Sequence, residues 1–85
     1  MDKILNKIRE SIEGPMREMN IIVTNIEYVL EGTYNFLRIE PDKASGLDLD
    51  TIVEATNVIN PIIDDLDLID DSYILDIISK EKGDN

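Results

Sequence analysis

The sequence predicts an α+β fold of two layers, with its elements in the order α-β-β-α-β. Two segments, 2–20 and 48–66, repeat apolar residues every three or four positions, while 21–40 and 72–79 alternate apolar and polar residues. The connection from the second to the third strand passes through a helix, so it should be right-handed and make these strands parallel. We therefore expect a three-stranded mixed sheet with two helices on one face.

The first helix is predicted from an apolar stripe that faces charged and amide side chains. The stripe consists of Leu5, Ile8, Ile12, Met16 and Met19. Asp2 is placed to cap the start of this helix, and Asn20 stands where a left-handed residue often ends one. Gly14 and Pro15 interrupt the pattern, because proline lacks the N–H that a helix interior needs. We expect a kink there, or a short break after which Pro15 opens a second segment.

Residues 21–40 are predicted to form a β-hairpin. Its first strand, 21–31, is rich in β-branched and aromatic residues, and Glu31-Gly32-Thr33 supplies a short turn that contains glycine. One face of the first strand carries Ile26, Tyr28 and Leu30. The second strand carries Tyr34, Phe36 and Arg38 on one side and Asn35, Leu37 and Ile39 on the other. Pro41 cannot donate a ladder hydrogen bond, so strand pairing should end there or run along an edge.

Residues 48–66 return to a helical period, which predicts a second helix that begins at Asp48. Asp48 is placed as its N-cap, and Asp50 lies in the first turn, where the helix dipole favours an anion. The inward face consists of Ile52, Ala55, Ile59, Ile62, Ile63 and Leu66. Pro61 lies inside this pattern, and an interior proline costs about 3 kcal/mol. We therefore expect the helix to end near Asn60, with a further short turn from Pro61.

The last part of the chain is predicted to form an acidic connection and a third strand. DDLDLIDD (64–71) is the connection, and SYILDIIS (72–79) is the strand. One face of this strand carries Tyr73, Leu75 and Ile77. At 85 residues one core is all that fits, so we expect a single domain over 1–79 and a frayed polar tail over 80–85.

The charge balance limits the class of partner. Nineteen acidic residues stand against eight basic ones, giving a net charge of −11, and the basic residues are scattered. Binding to a phosphate backbone needs lysines and arginines gathered on one face, so this domain should repel nucleic acid. A basic protein surface is the more plausible partner, since long-range attraction speeds the encounter. The alternative is that the charge only keeps a small protein soluble.

The residue types that are missing indicate a compartment. The chain has no cysteine, which excludes disulfides and thiolate metal sites, and a reducing cytoplasm is the expected setting. MDKILNKIRESIEG, the N-terminal stretch, mixes acids with bases and does not resemble a signal peptide. Apolar runs such as Ile21-Ile22-Val23 are too short to cross a bilayer, so we expect no membrane association.

The stretch LRIEPDKASGLDLD (37–50) has two interpretations, a cation-binding loop or a strand end, turn and helix start. A calcium loop that began at Asp42 would place its second and third ligands at Ala44 and Gly46, which have no side-chain oxygen. DDLDLIDD lacks the glycine that such a loop needs. We predict no specific metal site and no cofactor. A calcium-binding module is a less favoured function than the two described at the end of this section.

Catalysis is not expected from this sequence. Histidine and cysteine are absent, and the serines have no lysine in a motif around them. Neither phosphate-binding glycine motif occurs. The three tyrosines and Phe36 could stack on single-stranded bases, but no basic residues are interleaved with them, so core packing is favoured. We predict a protein that is not an enzyme.

Arg38 projects from the middle of the second strand. Pairing with Glu27 across the hairpin is the favoured interpretation, and a contact with a partner is the alternative. The complete set of candidate partner-binding residues is Arg38, Asp42, Lys43, Asp64, Asp65 and Asp67.

Several motifs together resemble the N-terminal domain of the ribosome maturation factor RimP family. They are IEYVLEG, FLRIEPDKASGLDLDTIVEAT and SYILDIIS, between about Asn25 and Ser79. The matching positions are Ile26 to Val29, Gly32, Leu37 to Ile39, Asp42, Lys43, Gly46, Leu47, Leu49, Asp50, Tyr73, Leu75 to Ile77, and Ser79. No single motif is specific, but their order and spacing are.

Two departures from the family pattern accompany the resemblance. The family usually continues past its last strand into a second, Sm-like β-barrel domain, whereas this chain ends in ISKEKGDN. Either the sequence stops at a domain boundary, or it is a reduced or divergent member. Pro61 stands where the family normally has an ordinary helix former, which affects the expected length of the helix and not the fold.

The resemblance implies a cytoplasmic, non-catalytic assembly factor that binds the immature small ribosomal subunit and helps it mature. It implies contacts with a basic ribosomal protein, while contacts with rRNA would come from the second domain, which this chain lacks. We expect a monomer. The alternative is a free-standing acidic adaptor or nucleic-acid mimic unrelated to ribosomes, which would bind a basic non-ribosomal protein and whose reading frame would stop directly after Asn85.

Overall fold

The computed structural model describes residues 1–78 and has the predicted α+β fold. Its elements are α1 (Asp2–Glu18), β1 (Ile22–Glu31), β2 (Tyr34–Asp42), α2 (Leu49–Leu66) and β3 (Ile74–Ile77). The strand order in the sheet is β1-β2-β3, with β1 and β2 antiparallel and β2 and β3 parallel. The predicted mixed sheet and the parallel pairing of the last two strands are confirmed. Ser79 and the predicted tail over 80–85 lie outside the described residues.

Both helices pack on one face of the sheet, and the core lies between the two layers. Alternate residues of β2 face inward, and each helix contributes residues at three- or four-residue spacing. The buried core consists of Ile8, Ile12, Met16, Ile21, Val23, Leu37, Ile39, Ala55, Ile59 and Ile63. No polar or charged residue is buried as a whole among residues 1–78. The predicted stripes of both helices therefore supply most of this core, with Ile52 only half-buried.

The first helix lacks the break that was one of the two outcomes predicted at Pro15, and its start differs from the prediction. It runs without a break through Pro15 to Glu18, because Met16, one residue beyond the proline, is fully buried in the core. Met1 occupies the N-cap position without a side-chain cap bond, so the prediction that Asp2 caps the helix is wrong. Asp2 lies instead in the first turn, where its carboxylate is still favoured by the helix dipole.

The end of α1 confirms the role predicted for Asn20. Asn20 has φ 63°, in the left-handed region, and its N–H donates to the carbonyl of Arg17. The N–H of Ile21 donates to the carbonyl of Met16. These two bonds form a Schellman motif, which satisfies carbonyls that the helix end would otherwise leave unpaired.

The hairpin forms as predicted, with one irregularity in β1. Glu31 pairs with Tyr34 around the two-residue loop Gly32–Thr33, and Gly32 takes φ 64°, which glycine adopts without steric cost. A β-bulge lies between Val23 and Asn25. The bulge shifts the alternation by one residue, so that Val23 before it and Ile26 after it both face the core.

The second strand continues through Pro41 to Asp42. Pro41 is paired with Val23 of β1, while β3 accompanies β2 only from Phe36 to Ile39, so on that side the proline lies along an edge. This is the second of the two predicted outcomes. Pro41 has no N–H to offer its register partner, and Arg9 of α1 donates to the carbonyl of Val23 at 2.8 Å.

The second helix is longer than predicted. Asp48 is confirmed as its N-cap, since the Asp48 carboxylate accepts the Thr51 N–H at 2.9 Å. The expected end near Asn60 is wrong, because the helix continues through Pro61 to Leu66 and thereby buries Ile63. Asp64 and Asp65 belong to the last helical turn and not to a connection. The third strand is shorter than predicted, with four residues from Ile74 to Ile77.

Candidate functional site

The outer sheet face is the face of the three strands that points away from the helices. Its apolar and aromatic members are Ile22, Val29, Tyr34, Phe36 and Ile74. Its charged members are Glu27, Glu31, Arg38, Glu40, Asp42 and Asp76. Tyr34 and Phe36 therefore lie on this face, and the prediction of core packing for the aromatic residues holds only for Tyr28 and Tyr73. The pleat places Arg38 and Asp42 on the same face.

Arg38 is held in the middle of the outer sheet face by two acidic residues. Its guanidinium donates twice to Glu31, with Nη1–Oε2 and Nη2–Oε1 distances of 3.1 and 3.3 Å, and its Nε donates to Asp76 Oδ2 at 3.0 Å. The guanidinium carbon lies 5.4 Å from the centre of the Phe36 ring. Glu27 is opposite Arg38 in the strand register, but the predicted ion pair between them is wrong. A bidentate fork that reaches diagonally to Glu31 takes its place.

These contacts change the acid–base properties of the pair. Hydrogen bonds from Arg38, and then its charge, hold the pKa of Glu31 below the ordinary value of 4.5. The carboxylates of Glu31 and Asp76 raise the pKa of Arg38 further above its already high ordinary value. Arg38 is thus permanently charged, and its charge is already matched by two carboxylates.

Asp42 and Lys43 lie at the second of three predicted positions, where β2 leads into α2. The Asp42 carboxylate accepts the Lys43 N–H at 3.0 Å, and the Lys43 carbonyl accepts the Gly46 N–H at 2.8 Å. Hydrogen bonds from Thr51 are the main cause that lowers the pKa of Asp48, and the Lys43 charge adds to it. The stretch that could have been a cation loop is therefore a strand end, a turn and a capped helix start. No group of three or more acidic residues within 1–78 is arranged to hold a metal ion.

The acidic end, as we call it, consists of Asp64, Asp67 and Asp71 around Tyr73. Asp64 lies in the last turn of α2, and Asp67 ends that helix in the left-handed region at φ 48°. A cleft of ≈ 540 Å³ opens there between α2 and the segment that leads into β3. Its lining consists of Thr56, Asn60, Asp64, Asp71, Ser72, Tyr73 and Leu75. Asp65 belongs to the same helical turn but is exposed outside this lining.

The electrostatics of the acidic end are uniformly negative. Burial, followed by the charges of Asp64 and Asp67, raises the pKa of Tyr73 above its ordinary 10.0. Burial and the charge of Asp71 raise the pKa of Tyr28, whose hydroxyl is buried without a hydrogen-bond partner in the described part of the chain. The last turn of α2 contains no basic residue, although the dipole makes a helix C-terminus favourable for cations. This arrangement is suited to a positively charged group from outside.

A second cleft, of ≈ 660 Å³, joins the acidic end to the outer sheet face. It shares Asp71, Ser72 and Tyr73 with the first cleft and is otherwise lined by Thr33, Tyr34, Asn35 and Ile74. The Asn35 side chain donates to the Ser72 carbonyl at 3.3 Å and so ties β2 to this segment. Asp71 was missed as a site residue. Parallel pairing of β3 with β2 was the available signal, because it brings the start of β3 beside the start of β2.

The structure distributes the six predicted partner-binding residues over three places. Arg38 lies at the centre of the outer sheet face, Asp42 and Lys43 at the junction of β2 with α2, and the three remaining aspartates at or beside the C-terminal end of α2. Because α2 runs back along the sheet, the last two places are at opposite ends of the molecule. In the described part of the chain, neither helix is long and apolar enough to span a bilayer.

The chain was compared with models of known protein families. The model of the RimP N-terminal domain matches residues 11–80. The match covers most of the chain, from the second half of α1 through all three strands.

Proposed function

Because this chain belongs to the RimP family of ribosome maturation factors, which act in assembly of the small ribosomal subunit, we propose that it is a non-catalytic assembly module that contacts a basic ribosomal protein. It binds the immature subunit in the cytoplasm as a monomer, holds that protein in an arrangement competent for assembly, and then leaves. The family match is the observation that carries the proposal. The acidic domain itself is proposed not to contact rRNA, since its carboxylates repel phosphates.

The charge distribution supports a basic protein as the partner. Negative charge is concentrated at the end of α2 by Asp64, Asp65 and Asp67. The first cleft, which Asp64 lines, opens beside this charge. An acidic surface of this kind speeds the encounter with a basic protein and repels a phosphate backbone. Arg38, Asp42 and Lys43 are proposed as further contacts.

Co-sedimentation with immature small subunits tests the proposal. The protein, together with any sequence that follows residue 85 in its source, is mixed with immature and with mature subunits at physiological salt and at high salt. We expect association with the immature particles that weakens at high salt, because salt screens exposed charges. Absence of association with immature particles at physiological salt would contradict the proposal.

A charge-matched pair of variants tests the proposed contacts. The triple change D64N/D65N/D67N removes three negative charges at the end of α2, and the control E10Q/E18Q/E54Q removes three elsewhere on exposed helix surface. We expect weaker association for the first variant only. Equal loss in both would mean that overall charge, and not these residues, drives the association.

A free-standing acidic adaptor is the alternative function. It is favoured by the charge of −11 alone and predicts tight binding to a basic protein that is not ribosomal. Affinity capture at physiological salt distinguishes the two functions: the assembly module enriches small-subunit proteins and the adaptor does not.

A further inference from the structure

The outer sheet face is open, although it carries large apolar side chains. Both helices lie on the opposite face of the sheet, and within residues 1–78 no other element crosses this one. The exposed fractions of Ile22, Tyr34 and Ile74 are 66%, 62% and 43%. Tyr34 and Ile74 lie beside Phe36 at one end of the face, and Ile22 lies at the other end. Exposed apolar side chains that cluster next to polar residues are typical of a surface that another molecule covers.

The charges on this face identify the kind of molecule. Its carboxylates, at positions 27, 31, 40, 42 and 76, face one guanidinium. Arg38 cannot attract an anion, because Glu31 and Asp76 already match its charge at distances of 3.0–3.3 Å. Beside this charged centre, Val29, Phe36 and Ile74 form an apolar row across the three strands, and the net charge of the whole face is negative.

We infer that the outer sheet face docks a cationic segment of a partner protein in which apolar side chains accompany the lysines or arginines. Apolar side chains of the segment cover Phe36 and Ile74, and its basic groups meet the surrounding carboxylates. Charge complementarity excludes the other occupants: a second copy of this face would bring like charges together, and a nucleic acid would bring phosphates against carboxylates.

The second cleft extends this surface to the acidic end. Tyr34 and Ile74 line the cleft together with Asp71, so a segment that leaves the outer sheet face meets more negative charge there. The inference rests on the proposed function only for the source of the segment, a basic protein of the small subunit. The chemistry of the face itself is independent of that source.

Titration of the full chain with synthetic peptides tests the inference. Three eight-residue probes are compared by NMR of the ¹⁵N-labelled protein: alternating Lys-Val, alternating Lys-Ser and alternating Glu-Val. We expect Lys-Val to bind about tenfold more tightly than Lys-Ser, the change typical of one buried apolar anchor, and Glu-Val not to bind. Shift changes should fall on Val29, Phe36 and Ile74. Equal affinity for Lys-Val and Lys-Ser, or shift changes confined to the helices, would overturn the inference.

Two matched pairs of variants locate the binding surface. I74K and V53K both add a lysine at an exposed apolar position, the first on the outer sheet face and the second on α2. E27K and E54K reverse one charge in the same two places. We expect I74K and E27K each to weaken Lys-Val binding about tenfold and the α2 variants to change it less than about twofold. Equal effects within either pair would overturn the inference.

The same four variants in co-sedimentation separate this inference from the proposed function. If the wild type associates with immature subunits and I74K and E27K associate equally well, the assembly role stands and the docking face is wrong. If the wild type does not associate but the peptide results are as expected, the docking face stands and the ribosomal source of the segment is wrong. Circular dichroism of each variant at 25 °C confirms that a loss of binding is not a loss of folding.

Discussion

Replacing Pro61 with alanine should stabilise the protein. Pro61 lies inside α2, five residues before the helix ends at Leu66, and its ring is exposed. The proline cannot donate to the carbonyl of Asn57, four residues earlier, and its ring crowds that carbonyl. Alanine restores the missing N–H and, because the ring is exposed, removes no core packing.

The expected gain follows from two opposing terms. An interior proline is about 3 kcal/mol less favourable than alanine in a helix. Proline also restricts the unfolded chain, and losing that restriction costs roughly 0.4–1 kcal/mol. The net expectation for P61A is therefore an increase of about 2 kcal/mol in the free energy of unfolding, which for a chain of this size raises Tm by about 8–16 °C.

Urea unfolding followed by circular dichroism at 222 nm measures this gain. At the lower slopes usual for small domains, the midpoint should rise by roughly 1–2 M. N57A is the control, because Asn57 is an exposed position of the same helix, with its own N–H intact, and its change to alanine should gain less than about 0.7 kcal/mol. A midpoint for P61A no higher than that of N57A would refute the reasoning and would indicate that α2 ends before Pro61.

Three further predictions concern a helix end and two titrating groups. N20G should leave stability within about 0.5 kcal/mol of the wild type, whereas N20V should lower it by about 1–2 kcal/mol in the same urea assay, because φ at this position is positive; equal midpoints would contradict this. R38Q should return the pKa of Glu31 towards 4.5, as measured by carboxyl ¹³C NMR. In the wild type, the stability that this pair contributes is present above pH 4.5 and is lost as the pH falls through the depressed pKa of Glu31. Because the pKa of Tyr73 is raised above 10.0, the folded protein should lose stability as the pH rises above 10. D64N should lower the pKa of Tyr73 only partly, as measured by absorbance titration at 295 nm, because burial is the first cause of the raised pKa.

The parts of the fold that depend on local rules could be predicted from the sequence. The cap at Asp48 and the left-handed Asn20 each need only the residue and its immediate neighbours, and both are found as expected. The parallel pairing of β3 follows from the helical crossover that connects it to β2. These features were accessible because no distant contact competes with them.

Both helices show where local rules fail. A proline is a strong stop signal by itself, yet α1 continues through Pro15 and α2 through Pro61. In each helix a fully or almost fully buried residue follows the proline, Met16 in α1 and Ile63 in α2. The free energy of burying a large side chain is comparable with the cost of one interior proline, and the next turn of core packing outweighs the local preference.

The partner of Arg38 could not be predicted for a different reason. The register placed Glu27 opposite Arg38, and that register is found. A guanidinium on a long side chain reaches diagonal as well as direct neighbours, and β3 adds Asp76 from the other side. The choice among three carboxylates depends on side-chain conformation and on a strand distant in sequence. Asp71, which lines the second cleft with Tyr34, was missed although the predicted pairing of β3 was the signal that brings the two together.

The acidic last turn of α2 links folding to ionic strength. Like charges stand at the negative end of the helix dipole, on Asp64, Asp65 and the left-handed Asp67. Their repulsion lowers the stability of the folded state. Added salt should relieve that repulsion, and the isolated protein should melt at a higher temperature in 0.5 M than in 0.05 M sodium chloride, with D64N/D65N/D67N showing a smaller rise. By the same linkage, a cation that binds there tightens the helix end as it binds, and the domain becomes more stable in its complex than alone.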